Sequence, residues 1–292
     1  PSSLGETDII KSMALLPGIQ TAGEFGSGFN VRGGGSDQNL ILIEDVPLFN
    51  SAHLFGLTST INADNVSSVT LLKAGIPARY GERASSVMDI RLGSDNTDKV
   101  RVKGGIGILS SRLSIQIPML NKKATLILGG RSSYSNWLLH KIPDVDLKKS
   151  SASFYDLNAL YTININRNNK VILFGYYSND KFGFSESLKY EYSNLMGSMR
   201  WTHLFTSKLS SSFLTGYSQY KYSVFESDTL HREDAYKVNL KTRYNNLKWN
   251  FNWVPDHKHS IDFGINAVLY RIMPGEEVPY GSLSLIKPMK VQ

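Results

Sequence analysis

Two rhythms of apolar and polar residues divide the chain near residue 97. Up to about Asn96 the apolar runs are short and cut by turn residues. Phe29–Arg32, Leu40–Glu44, Ser68–Lys73 and Val87–Leu92 read as strands. Several are apolar at successive positions, which predicts burial on both faces. The opening "ETDIIKSMALLPG" reads as a helix instead. Ile9, Met13 and Leu16 fall on one stripe, Thr7 or Asp8 can cap it, and Pro17-Gly18 stops it. A unit of about 95 residues is large enough for a core of its own.

From Lys99 onward the pattern alternates. In "LKWNFNWVP", Leu247, Trp249, Phe251 and Trp253 point one way, and Lys248, Asn250 and Asn252 the other. In "DLNALYTININ", Leu157, Ala159, Tyr161, Ile163 and Ile165 share a face, opposite Asn158, Thr162, Asn164 and Asn166, with Leu160 as the exception. The pattern predicts strands near 100–117, 124–132, 153–165, 170–178, 188–205, 209–225, 235–253 and 258–272. Short links ("NRNN", "TSK", "PDHK") alternate with longer gaps at Ser133–Ala152, Asn179–Ser187 and Glu226–Asp234. Long alternating strands with short turns on one side and long loops on the other are the pattern of a transmembrane β-barrel. A soluble β-sandwich also alternates. Three features favour the barrel: strands longer than the ~5–6 residues usual in soluble sheets, asymmetric loops, and polar faces rich in Asn, Ser, Thr, Lys and Tyr.

Composition narrows the classes. Of 292 residues, 41% are hydrophobic and 20% charged, which excludes a disordered chain. Aromatics reach 11%, suiting strands and interfacial belts; Trp201, Phe205, Trp253 and Tyr270 fall at strand ends. Cysteine is absent, excluding disulfide scaffolds and thiolate metal sites. The net charge of +7 is scattered in single residues and pairs, so it points to solvated or lumen-facing side chains and not to nucleic acid. No apolar run approaches the ~20 residues of a spanning helix.

Catalytic and metal chemistry finds little support. Of six histidines, only His257 and His259 lie close, in a tight turn beside Asp256. "NVRGGGS" lacks the Lys-Ser/Thr of a phosphate loop. Asp64, Asp89, Glu82 and Arg83 show no acid–base spacing. No cofactor, metal site or enzymatic motif is expected.

In order, "DIIKSMALLPGIQ", "FNVRGGGSDQNLILIEDVPLFN" and "VSSVTLLKAGIPARYGERASSVMDI" resemble the plug domain of TonB-dependent outer-membrane receptors. "HLFG" and "ARYG" resemble the branch found in Bacteroides-like bacteria. The later strands, including "GGIGILSSRLSIQIP" and "FYDLNALYTI", resemble the start of the barrel. The resemblance implies a mainly β fold: a small α+β plug domain at 1–96, then antiparallel transmembrane strands at 97–292. About eight strands are expected here of the ~22 such barrels need, so the chain is expected to be a segment of a longer protein. Family members often have Asp-Gly where Glu44-Asp45 stands, Glu where Thr70 stands, and, in this branch, Gly where Glu82 stands.

The resemblance further implies energised uptake of a scarce nutrient (siderophore, cobalamin, glycan or peptide) across the outer membrane of a Gram-negative bacterium. It implies a TonB-type energy transducer, an extracellular small-molecule or oligomer substrate, a surface lipoprotein and the lipid bilayer as partners. A surface receptor that senses without transport, a passive porin and a soluble carbohydrate-binding sandwich stand as alternatives; the plug argues against the porin. Family plug apices face outward and touch substrate. By position these are Thr21–Gly28 and Phe49–Gly56, which implies contacts from Glu24, Phe25, Asn50, His53 and Phe55. In the other reading of these residues, Phe49, Leu54 and Phe55 are plug core and His53 caps a turn. Arg32 and Arg79 are expected to lock the plug by pairing with barrel carboxylates, with no apolar interface.

Overall fold

The computed structural model describes residues 2–3, 6–21, 28–81, 83–93, 98–139, 141, 143–144, 148–185, 187–227 and 232–290. Residues Ser2–Ser3 (β1) and Glu6–Thr7 (β2) pair antiparallel ahead of a short helix, α1 (Ile9–Met13). Asp8 caps α1, accepting the Lys11 N–H at 3.0 Å. Ile9 and Ile10 are buried, as the stripe predicts. The helix is shorter than the stripe, however. Pro17 disfavours the α conformation at Leu16, so the last turn tightens and Leu16 is exposed.

Short strands follow: β3 (Ile19–Thr21) with β4 (Phe29–Val31), then β5 (Asn39–Ile43), β6 (Val46–Pro47), β7 (Ala52–His53), β8 (Thr58–Ser59), β9 (Val66–Leu72) and β10 (Ser86–Leu92). The N-terminal core is a four-stranded sheet in the order β6-β5-β10-β9. Every residue of β5 is buried, as its unbroken apolar run predicts. Its partner β10 runs parallel to it, Val87 opposite Leu40 and Ile90 opposite Ile43.

The rest is one antiparallel meander: β11 (Arg101–Ile106), β12 (Ser110–Met119), β13 (Ala124–Ser133), β14 (Ser151–Asn166), β15 (Asn169–Phe184), β16 (Leu188–Thr206), β17 (Leu209–Glu226), β18 (Tyr236–Asp256), β19 (His259–Pro279) and the short β20 (Met289–Lys290), paired in sequence order. A second short helix, α2 (Asn136–Leu139), lies between β13 and β14. The run expected as one strand at 100–117 is two, folded back at Gly107, whose N–H donates to the Ser110 carbonyl. β16, β18 and β19 have 19, 21 and 21 residues. These lengths exceed the need of a soluble sheet and suit strands that cross a bilayer at a tilt. The turns at 120–123, 167–168, 207–208 and 257–258 share one end of the sheet; the long connections 134–150 and 227–235 share the other.

The N-terminal sheet packs on the inward face of this wall. Leu160, the exception in its strand's alternation, is buried there together with Ile127, Phe174 and Met196, against Ile41, Ile43, Val46 and Met88. The two parts therefore share an apolar core, where an interface of polar pairs alone was expected. The outward face carries Leu157, Leu195, Trp201, Leu247, Trp249 and Trp253, all exposed.

Candidate functional site at the contact between plug and wall

Three polar contacts surround the shared apolar core. The first is the loop between β7 and β8. Leu54 and Phe55 have φ of 47° and 58°, and Gly56 follows at 108°. Left-handed backbone at two bulky residues costs about 1–3 kcal/mol each and persists only where neighbours hold it. The wall does so. The Leu54 N–H donates to Asp180 Oδ1 at 3.0 Å, and the Phe55 N–H donates to the Tyr192 hydroxyl at 3.1 Å.

His53, expected to face a ligand, is fully buried in this contact. Its Nδ1 lies 2.8 Å from Asp180 Oδ2 and its Nε2 3.1 Å from Asp156 Oδ2. Its ring stacks on Phe154 with centroids 4.1 Å apart. Arg131 completes the cluster, donating from Nε to Asp156 at 2.7 Å and from a terminal nitrogen to the Ser59 carbonyl at 2.9 Å. Burial pulls the His53 pKa down, but the Asp180 charge and the Asp156 and Asp180 hydrogen bonds outweigh it and raise it above the usual value. Among the described residues, no group of His, Asp and Glu is placed to hold a metal ion.

Phe55 and Asn50 lie beside this cluster, near the long-loop end. The Phe55 ring stands edge-on to Phe182, Tyr190 and Tyr192 at 5.3, 5.2 and 5.9 Å. Even so, 37% of Phe55 is exposed. Asn50 accepts the Ala52 N–H at 3.2 Å through its side chain and accepts from Asn194 Nδ2 at its carbonyl at 3.3 Å. Glu24 and Phe25 lie outside the described residues.

The second contact is the two-residue hairpin Glu44-Asp45, toward the short-turn end. Both residues are left-handed, with φ of 50° and 67°, where such hairpins prefer Asn-Gly or Asp-Gly. Their carboxylates explain why glycine does not suffice. Arg200 of the wall pairs with Glu44 at 3.0 Å and with Asp45 at 2.6 Å. Arg91 of β10 grips Asp45 through both terminal nitrogens, at 2.8 and 2.6 Å. Burial pushes the Asp45 pKa up, yet the Arg91 hydrogen bonds and the Arg200 charge outweigh it and hold it at about 2.

The third contact is midway. Asn65 donates to Asn158 Oδ1 at 2.6 Å and accepts from Ser114, reaching a wall position that only glycine leaves open: a Cβ on Gly129 would collide with the Asn65 amide. Beside it, Arg112 Nε donates to Asp64 at 2.9 Å.

Arg32 and Arg79 do not join these contacts through their guanidinium groups. Arg32 is exposed, left-handed at φ 51°, and forms no ion pair among the described residues. Arg79 lies over the Tyr80 ring at 4.9 Å, and its carbonyl accepts from Lys248 Nζ at 2.6 Å. It lines a cavity of about 490 Å³ between plug and wall, with Thr70, Arg91, Arg200 and Lys248. The ion pairs that cross the interface thus mostly run opposite to the expectation, from plug carboxylates to wall arginines. Asp156, Asp180, Arg131 and Arg200 went unnoticed in the sequence. The available signal was a charged side chain on the inward register of a long alternating strand, as Asp156 is in "FYDLNAL".

A plug packed inside a strand meander and held at three levels defines the class. Residues 2–87 match the TonB-dependent Receptor Plug Domain. No curated protein matches the chain. Among solved structures, the copper transporter OprC aligns at a TM-score of 0.68 with 10% identity, over 98% of this chain and 47% of its own. The unliganded ferric citrate transporter FecA aligns at 0.68 with 12% identity, over 94% and 46%. BauA, the ferric preacinetobactin receptor from Acinetobacter baumannii, aligns at 0.64 with 12% identity, over 98% and 48%. The chain has the fold of these proteins, which are receptors and transporters, and spans about half their length.

Proposed function

We propose that the chain is the plug and the first barrel strands of a TonB-dependent outer-membrane receptor for energised nutrient uptake, with residues 1–96 as the plug and 97–292 as wall. The observation that carries this reading is a plug domain clamped to the inward face of the strands at both ends. Such clamps suit a domain that must seal a barrel at rest and shift when pulled. On this reading the short turns face the periplasm and the long loops face outward, so the Phe55 apex faces the medium and Glu44-Asp45 the transducer side.

Substrate then meets Asn50 and Phe55, with Glu24 and Phe25 as further contacts. His53 keeps a role in the site by holding that apex to the wall. Arg32 and Arg79 serve the seal from the exposed plug surface, Arg79 through its carbonyl, which accepts from Lys248 of the wall. A TonB-type transducer supplies the work from the proton gradient. The substrate is a scarce nutrient of the siderophore, cobalamin, glycan or peptide kind. "HLFG" and "ARYG" support the branch found in Bacteroides-like bacteria, where a surface lipoprotein would deliver the substrate.

Deletion of the gene, with growth on each nutrient class as sole source, tests the reading. Loss of growth on one class, restored by the wild-type gene only while the transducer and proton gradient are intact, is expected. Uptake at the full rate without the transducer would overturn it.

A further inference from the structure

His53 fills a site whose other walls belong to the strand meander. Asp156 and Asp180 lie at its two ring nitrogens, and the Phe154 ring lies against its face at 4.1 Å and an interplanar angle of 15°. A pair of carboxylates beside an aromatic face holds organic cations in general. All three groups come from β14 and β15, and the plug supplies the imidazole. With His53 protonated, the two carboxylates are balanced by His53 and Arg131. Asp156 Oδ1 is nevertheless buried without a hydrogen-bond partner. An imidazolium has two N–H groups to offer, whereas an ammonium has three and a guanidinium five. The site can therefore accept more donors than His53 brings.

When the loop between β7 and β8 lifts, the wall is left with an excess of negative charge. Asp180 loses the His53 ring and the Leu54 N–H together, and Asp156 keeps Arg131 as its cation. Nothing on this face makes up the deficit. From the row of Asp156 to the long-loop end, the inward positions of β14–β18 hold no lysine or arginine among the described residues. Lys181, Lys189, Lys221, Lys237 and Lys241 all fall on the outward register, while Glu226 falls on the inward one. A cleft lined by one sign of charge concentrates ligands of the other.

The loop is also built to leave. Leu54 and Phe55 keep their left-handed backbone while Asp180 and Tyr192 hold their N–H groups, so lifting releases that strain and offsets part of the lost pairing. Phe55, partly exposed beside the cluster, is met by a ligand before His53 is.

We propose that Asp156, Asp180 and the Phe154 ring form a wall site for a cationic group of the substrate, an ammonium or guanidinium carried by a peptide. His53 fills this site while the plug is seated, and the substrate takes it over as the apex lifts. The site rests on the reading of the chain as an uptake receptor and narrows the nutrient classes named there to peptides. His53 is then an internal competitor: removing it improves binding of a cationic ligand, where removing a structural prop would weaken it.

The test uses the full-length receptor extracted from outer membranes. Its recovery in that fraction checks the underlying reading separately; absence from it would overturn both. Calorimetry at pH 6 then compares tri-lysine amide with tri-glutamine amide. Tri-lysine amide should bind His53→Asn at least about five-fold more tightly than the wild type, because the competent state is no longer masked. His53→Asn/Asp180→Asn lacks the same competitor but also a carboxylate, and should lose that gain. Weaker or unchanged binding of tri-lysine amide by His53→Asn would overturn the proposal. So would a gain that survives in the double variant, an equal gain for tri-glutamine amide, or no binding of tri-lysine amide to either protein. Should the variants not assemble, the wild type decides alone. Tri-lysine amide should then speed hydrogen exchange at residues 52–60 by at least about three-fold over tri-glutamine amide, and equal exchange would overturn the proposal.

Discussion

His53 Nδ1 and Asp180 Oδ2 are 2.8 Å apart across the boundary between plug and wall, both side chains fully shielded from water. The same Asp180 accepts the Leu54 N–H, so one carboxylate fixes a side chain and the strained backbone beside it. Substituting His53 by Ala leaves Asp156 and Asp180 buried with only Arg131 as a cation. Truncating one partner of a buried pair costs about 3–5 kcal/mol. Hydrogen exchange should report this as faster opening at residues 52–60, with the amides of β15–β18 little changed.

The same contact makes seating depend on pH. The folded pKa of His53 lies above its usual value of about 6.5. Its contribution is therefore complete below that value and is lost as pH rises through the folded pKa. Once neutral, the ring donates one hydrogen bond instead of two. Exchange at residues 52–60 should accelerate from pH 6 to pH 9 in the wild type beyond the intrinsic rate. His53→Asn should remove that excess; an excess that survives would place its origin elsewhere.

Asp45 works in the opposite sense. Its pKa falls from 3.8 to about 2, so its stabilisation is present above about pH 4 and is lost as pH falls through about 2. At neutral pH this corresponds to about 2 kcal/mol. Asp45→Asn should cost that order of energy in plug seating, read as increased leak of small solutes in reconstituted vesicles. Asp45→Gly relieves the left-handed backbone but loses both arginine contacts. A leak equal to wild type in Asp45→Gly would show that the hairpin shape matters and the carboxylate does not.

Trp249 and Asn250 are adjacent on β18 and face opposite ways. Trp249 is exposed on the outward face, edge-on to Phe213 at 6.4 Å; Asn250 lines the cavity against the plug. Trp249→Arg should destabilise the barrel by about 2–4 kcal/mol near mid-bilayer, measured by folding into lipid vesicles, whereas Asn250→Arg should cost far less. Equal tolerance would argue against a lipid-facing surface.

That alternation was legible in the sequence because facing and polarity coincide along β18. It was less legible along β14, where Leu160 broke the pattern. Leu160 is inward and apolar because the plug, and not water, covers it, and an uncovered strand offers no sign of that. The fold-back at Gly107 was hidden because "GIGIL" contains no polar break. The parallel pairing of β5 with β10 joins segments separated by four other strands, which no local pattern encodes. Asp156, Asp180 and Arg200 read as ordinary residues of a wet wall, since their meaning depends on His53 and Asp45 reaching them from distant parts of the chain.

Phe55 keeps a partly exposed ring at the outward apex although three aromatic rings flank it, and its own backbone is held in a costly conformation to keep it there. A ring needed only for packing could be buried with less strain, which favours contact with substrate. Phe55→Ala should weaken substrate binding by about 1 kcal/mol, roughly five-fold, with Phe55→Tyr restoring it. Asn50→Ala should add to the loss if its amide also meets substrate. Calorimetry on the purified full-length receptor measures both. Hydrogen exchange at Ala52–Ser59 separates the two causes: an unchanged apex with weakened binding identifies Phe55 as a contact, whereas a loosened apex with unchanged binding would make it a packing residue.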